Sequence, residues 1–203
     1  MLIYGIIFAF AGYLLGAIPF GVIIARSKGV DIFKFGSGNP GATNVKRACG
    51  KAAGNLCFIL DALKGFIAVM LPSLSLYFGA DVADSEVMLK IAALIAAIIG
   101  HMYPVFTGFR GGKGVSVTIG GLAGFMWLSI LIGLVLWLVV YYASKYVSLA
   151  SIAMSLSLPI SSALIYGVKT PQTYLAIFLA VVVILKHHSN IKRLLNGTEN
   201  RFK

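Results

Sequence analysis

Acidic side chains are scarce in this sequence: Asp and Glu number six in 203 residues, and all charged residues together make up 11%. Soluble domains carry about a quarter charged residues, so an ordinary water-facing globular surface is excluded. Cysteine is nearly absent as well. Cys49 and Cys57 are the two present, with no His or second Cys pair in reach, so no metal site is expected. At the cytoplasmic end of a span these thiols stay reduced, which argues against a disulfide. No G-x-x-x-x-G-K-[ST] run occurs, and nucleotide hydrolysis is disfavoured with it. No repeat of roughly 20 to 50 residues is visible. No linker divides the chain either, so residues 1–203 read as a single domain. The apolar runs are continuous rather than alternating, which excludes a transmembrane β-barrel.

What the chain does have is hydrocarbon. Hydrophobic residues make up 59%, and the mean hydropathy is +0.94. The apolar runs approach or exceed the roughly 20 residues needed to span a bilayer. The fold class expected is an all-α integral membrane protein of about seven transmembrane helices, some of them short. Residues 2 to 25 are too long and too uniformly apolar for a cleaved signal peptide, so they are expected to remain as a first helix. The net charge is +11, from 17 basic and six acidic residues. In a membrane protein that bias marks cytoplasmic loops rather than nucleic acid binding.

Span one is expected over Leu2–Ala25. A basic loop follows, with Arg26, Lys28, Lys34, Lys46, Arg47 and Lys51. Span two covers Ala53–Phe78 and leads to an acidic loop with Asp81, Asp84 and Glu86. Span three covers Val87–Phe106 and is followed by Arg110 and Lys113. Residues 115–144 form one apolar block that would be about 45 Å long as a single helix. It is expected to break between Gly120 and Ser129 into two short spans. Val147–Tyr166 and Thr173–Leu185 complete the set, and the tail carries Lys186, Lys192, Arg193, Arg201 and Lys203. An even number of crossings after Lys113 keeps that basic tail with the basic loops, the N-terminus lying outside and the C-terminus in the cytosol.

The polar motifs then gather on one face. In "GSGNPGATNVKR", residues 36–47, glycines let backbone N–H groups cradle an anion. Ser37, Thr43 and Asn44 add donors, and Arg47 adds a fork suited to phosphate. "RGGKG", residues 110–114, is a second such cradle with Arg110 and Lys113. Asp61 and Lys64 lie three apart in an apolar helix, where charges are functional or paired. A structural ion pair and a substrate role are both open for them. His101 reads either as a packed helix-end histidine or as a site residue. His187 and Asn190 share one face if the last helix runs through them. The choice there lies between an amphipathic interfacial tail and a working histidine. Glu199 reads as the partner of a nearby cation.

Taken together, "GSGNPGATNVKR", "DALKG" at 61–65, "GHMYPVF…GGKGV" at 100–115 and the tail pattern H-x-x-N-I-x-R-L-L-x-G-x-E at 187–199 resemble the bacterial acyl-phosphate:glycerol-3-phosphate acyltransferase family, in the family's order and over nearly the whole chain. The resemblance implies acyl transfer from acyl-phosphate to the sn-1 hydroxyl of glycerol 3-phosphate, giving lysophosphatidic acid and inorganic phosphate, the first step of phospholipid synthesis. It implies catalytic roles for Ser37, Lys113, His187 and Asn190. Substrate-binding roles fall to Gly36, Gly38, Asn39, Gly41, Thr43, Asn44, Arg47, Lys64, His101, Arg110, Gly111, Gly112 and Gly114, and structural roles to Asp61 and Glu199. Lys186 and Ser189 depart from the family, which often has arginine and an acidic residue there. No cofactor and no nucleic acid are implied. The partners are the two substrates, membrane lipid and the enzyme that supplies acyl-phosphate. The location is the bacterial inner membrane, with the site on the cytosolic side.

A common acyltransferase signature places aspartate five residues after histidine. Here Phe106, Lys192 and Arg193 stand at those positions. The expectation is therefore that the donor's own phosphate accepts the hydroxyl proton. An organic-phosphate transporter is the competing function. The missing inverted repeat and the one-sided polar residues speak against it. A non-catalytic membrane subunit is disfavoured by the density of polar motifs.

Overall fold

The computed structural model describes residues 2–77, 79 and 82–202. Phe78 at the expected end of span two, Asp81 of the acidic loop and Lys203 of the tail lie outside the described residues. The long elements among the described residues are helices. They are α1 (Leu2–Ala17), α2 (Phe20–Arg26), α3 (Ala42–Cys49), α4 (Lys51–Tyr77), α5 (Glu86–Met102), α6 (Val115–Phe125), α7 (Trp127–Ser144), α8 (Val147–Tyr166), α9 (Pro171–Lys186) and α10 (His188–Leu195). Five segments are long and apolar enough to cross a membrane: Leu2–Arg26, Lys51–Leu76, Ala83–Thr107, Trp127–Ser144 and Val147–Tyr166. The pair α9–α10, bent by 60°, makes a sixth. The apolar α6 has 11 residues, about 16 Å at 1.5 Å per residue, or half a hydrocarbon core. The chain is thus a helical multi-pass membrane protein, and each of the seven expected segments corresponds to a helix or a helix pair.

Three local expectations are corrected, and the break expected in the 115–144 block is met. The first span is not one rod. Pro19 lacks an N–H and cannot continue a helix, so α1 ends at Ala17 and α2 starts at Phe20. The 115–144 block does break, at Met126 (φ −132°, ψ 40°). The basic loop after span one contains a helix, α3. The last helix does not run straight through His187: the 60° bend falls there.

The chain divides into two compact units, Met1–Phe125 and Met126–Lys203. In the first, α1 packs on α5 and α4 on α6 through small residues. A Cβ on Gly16 would lie 2.0 Å from the Ala97 carbonyl oxygen, and one on Gly120 would lie 1.8 Å from that of Ala62. In lipid no hydrophobic force drives helices together, so close backbone approach across small residues takes its place. Leu2, Ile3 and Phe10 are exposed on α1 while Gly12 and Gly16 are buried, the arrangement expected when the surroundings are lipid. In the second unit, α7, α8 and α9 pack in sequence. Buried hydroxyls find partners there: Ser162 donates to Ser129 at 3.3 Å, and the Trp137 indole donates to Ser151 at 3.2 Å.

Candidate active site

Two glycine-rich loops and one buried charge cluster meet in the first unit. The first loop leads into α3. Gly36 (φ +55°) and Gly38 (φ +67°) stand in left-handed backbone, which glycine adopts without strain. Asn44, 2% exposed, organises this loop. Its Nδ2 donates to the Phe35 carbonyl at 2.9 Å and towards that of Ile32 at 3.4 Å, and its Oδ1 accepts from the Ser37 N–H at 3.3 Å. Asn39 Oδ1 accepts from the Gly41 N–H at 2.8 Å, closing the turn into the helix. Ser37 is exposed, whereas Thr43 and Arg47 are half-buried on α3.

The second loop begins where Pro104 terminates α5. The Gly112 N–H donates to the His101 carbonyl at 3.0 Å, and Thr107 Oγ1 donates to that of Arg110 at 2.9 Å. Gly112 is required by contact: a Cβ there would lie 2.1 Å from His101 Nε2. Gly114 (φ +84°) leads into α6, and Lys113 between them is half-buried. The two loops touch. Asn39 Nδ2 donates to the Gly111 carbonyl at 3.5 Å, and the Arg110 guanidinium lies 4.4 Å from the centre of the Phe33 ring.

Beneath them lie the charges of α4. Asp61 and Lys64 side chains are each 3% exposed and pair at 2.8 Å. Lys64 Nζ thus supplies the counter-charge for Asp61 Oδ1. His101 Nδ1 stands 3.6 Å from the same oxygen, beyond hydrogen-bond length. Cys57 Sγ donates to Asp61 Oδ2 at 3.6 Å. Lys64 Nζ also donates to the Ile18 carbonyl at 2.9 Å, a group exposed by the α1–α2 break, and lies 5.7 Å from the Phe20 ring centre. A cleft runs over this cluster, lined by Pro19, Asp61, Lys64, His101, Arg110 and Gly112 among others.

His187 and Asn190 belong to the second unit. The His187 backbone N–H is shared between the Val183 and Ile184 carbonyls, as at a helix end. Its ring is 4% exposed and Nδ1 lies 2.8 Å from the Val183 oxygen. A carbonyl accepts only from N–H, so in the neutral ring Nε2 is the acceptor nitrogen. Asn190 Nδ2 donates to Glu199 Oε1 at 2.7 Å. That oxygen also accepts from Ser148 at 2.8 Å, and Oε2 accepts from Arg193 Nε at 2.6 Å. Burial alone would raise the Glu199 pKa. The bonds from Asn190, Ser148 and Arg193, with the arginine's charge, hold it below the usual carboxylate range. Lys186 closes α9, and Ser189 lies in the first turn of α10.

Sequence reasoning missed Cys57, Phe33 and Ser148. Cys57 had a signal, lying one turn before Asp61 on the same helix. Phe33 and Ser148 had none, because their partners are distant in the chain. Among the described residues, no group of three or more His, Cys, Asp or Glu side chains could hold a metal ion.

Comparison with known proteins adds to this geometry. A sequence model of the glycerol-3-phosphate acyltransferase family matches residues 6–197. A glycerol-3-phosphate acyltransferase of Aquifex aeolicus is 44% identical over 190 residues, covering 94% of this chain and 95% of its own. One from Mesorhizobium japonicum is 40% identical over 201 residues, with 98% and 96% covered. A crystal structure of PlsY, an integral membrane glycerol 3-phosphate acyltransferase, in its glycerol 3-phosphate form superposes with a TM-score of 0.88. It is 39% identical, covering 98% of this chain and 96% of that one. The lysophosphatidic acid form gives 0.84 at the same identity, with 98% and 95% covered.

Proposed function

The chain belongs to the glycerol-3-phosphate acyltransferase family, and we propose that it moves an acyl group from acyl-phosphate to the sn-1 hydroxyl of glycerol 3-phosphate. The hydroxyl oxygen attacks the acyl carbon, the bond from that carbon to the phosphate oxygen breaks, and lysophosphatidic acid and inorganic phosphate leave. The observation that carries this reading is the junction of two glycine-rich basic loops over one cleft, tied at Asn39 and Gly111 and at Arg110 and Phe33. Backbone N–H groups in such loops favour anions, and both substrates carry phosphate.

In this reading Ser37, Thr43, Arg47, Arg110, Lys113 and the glycines 36, 38, 41, 111, 112 and 114 form the phosphate cradle. Asn39 and Asn44 hold its shape, and Lys64 and His101 form the cleft's floor. The cradle takes two phosphates: the 110–114 loop binds that of glycerol 3-phosphate, and Ser37, Lys113 and the glycine N–H groups disperse charge on the leaving phosphate, whose own oxygen accepts the proton. His187 and Asn190 orient the acceptor, while Asp61 and Glu199 support the site. The whole chain, residues 1–203, acts as one acyltransferase domain in the bacterial inner membrane. Its N-terminus lies outside and its site and C-terminus face the cytosol, where the enzyme supplying acyl-phosphate is a further partner. Basic residues crowd the loops that this orientation makes cytosolic.

The test is donor choice. Purified protein in nanodiscs is given labelled glycerol 3-phosphate with palmitoyl-phosphate, palmitoyl-CoA or palmitoyl-acyl carrier protein. Lysophosphatidic acid from the phosphate alone is expected; product from a thioester alone would overturn the donor assignment. Uptake of glycerol 3-phosphate into sealed vesicles without acylation would instead identify a transporter.

A further inference from the structure

The acyl transfer outlined above assigns no chemical step to the cluster under the cleft. We propose that Asp61 is a positioning residue for that reaction: through Lys64 and His101 it sets the placement of the loop 110–114 relative to the break in the first span. This rests on the reading of that loop as part of the phosphate cradle.

Asp61 and Lys64 are both nearly inaccessible in an apolar helix. Burying two charges costs much of what their attraction returns, and a packed apolar pair is often as stable. Stability alone is therefore a poor reason for the pair. Both proposed substrates are anions, so a carboxylate on the cleft floor repels them, and direct contact is opposed. Its favourable effects run through the cations and donors it holds.

Lys64 is fixed on one side by Asp61 and on the other by the Ile18 carbonyl, so the pair pins the α1–α2 break to α4. His101 faces Asp61 through Nδ1. Its other edge lies against Gly112, so closely that a methyl group there would strike Nε2, and its carbonyl accepts the Gly112 N–H. Turning the imidazole moves the loop backbone. The carboxylate favours the ring edge that carries Nδ1–H, and Cys57 anchors the carboxylate's second oxygen. The tie from Asn39 to Gly111 is at the limit of a hydrogen bond, 3.5 Å, so the histidine is the firmer support of Gly111 and Gly112. Arg110 and Lys113 flank these two glycines, and a shift of about 1 Å in a positioning group costs as much as 100-fold in rate.

The experiment uses the full chain in nanodiscs. Values of kcat and of KM for each substrate are measured for the wild type, Asp61→Asn, Asp61→Asn/Lys64→Met, Gly112→Ala and Lys113→Ala, with melting temperatures. The Asn/Met pair removes both charges together and avoids leaving a lone buried cation. Both carboxylate variants are expected to raise the KM for glycerol 3-phosphate about tenfold or more, with the donor KM within about twofold. The Asn/Met variant keeps a near wild-type melting temperature. Gly112→Ala gives the same acceptor defect. Combined with the Asn/Met pair, it gives less than the product of the two effects, because both act on one contact.

A purely structural Asp61 would lower the melting temperature and the active fraction, hence the apparent kcat, and leave the acceptor KM unchanged; that result overturns the proposal. Fully multiplicative effects overturn it as well. If neither carboxylate variant folds, Gly112→Ala decides: a wild-type acceptor KM there refutes the His101 contact. A wild type that makes no lysophosphatidic acid, or a Lys113→Ala variant with unchanged acceptor KM, removes the underlying phosphate reading and the proposal with it.

Discussion

Asn44 sits in the middle of the most phosphate-like motif, and its amide looks like a ligand donor in the sequence. The structure points that amide at the loop's own backbone. Replacing it with alanine deletes one bond of 2.9 Å to the Phe35 carbonyl and two longer ones, of 3.3 and 3.4 Å, to the Ser37 N–H and the Ile32 carbonyl. A well-formed bond contributes about 1 kcal/mol net, and each long one is taken as roughly half that. The sum is about 2 kcal/mol, and more where the orphaned groups stay dry around a site 2% exposed. Asn44→Ala should lower stability by about 2–3 kcal/mol in denaturant titrations in detergent. Displacement of Ser37 should cut kcat/KM by about 100-fold. Asn44→Asp should be worse, since a carboxylate oxygen would then face two carbonyls. Unchanged stability with only weaker affinity for glycerol 3-phosphate would mean that Asn44 touches substrate, and the scaffold argument would fail.

Glu199 has a pKa below its ordinary value, so its contribution is complete above about pH 4.3 and is lost as pH falls through the lower folded value. The stability gap between the wild type and Glu199→Gln should be flat near neutrality and close in acid; a gap that persists at about pH 2 contradicts it. His187→Gln should weaken acceptor affinity with an unchanged pH profile. A drop in kcat of roughly 10²–10⁴-fold, with loss of an acidic limb, would make His187 the base. Gly120→Ala should destabilise by about 1–3 kcal/mol, because its methyl group would strike the Ala62 carbonyl; wild-type melting would show that α4 and α6 pack differently. In a Cys49→Ser background, a cysteine at Ser85 should react with an impermeant maleimide on intact cells, and one at Gly197 only after permeabilisation. The reverse pattern would invert the topology.

The spans were legible because bilayer thickness imposes run lengths that composition alone reveals, and α8 was located to the residue. The breaks were harder. Pro19 is visible, yet a run that is apolar on both sides of it reads as continuous. The bend at His187 has neither proline nor glycine to announce it; it comes with a backbone N–H shared between two carbonyls and a ring bonded to Val183. Helix α3 was hidden because its flanking glycines and its polar TN pair read as loop. The motifs were enough to place the chain in its family. The division of labour between Asn44, which shapes the loop, and the residues around it needed coordinates. Asp61 and His101 are 40 positions apart, and no local pattern joins them.

The most direct test of the account follows phosphorus. A single tube of purified protein, acyl-phosphate and glycerol 3-phosphate is monitored by ³¹P NMR, with Lys113→Ala as the control. The account predicts that the acyl-phosphate signal decays while sn-1 lysophosphatidic acid and inorganic phosphate grow in equal amounts, and that the variant needs far more glycerol 3-phosphate to do the same. Attack at phosphorus instead of carbon, seen as a glycerol bisphosphate with free fatty acid, or no conversion at all, would contradict it.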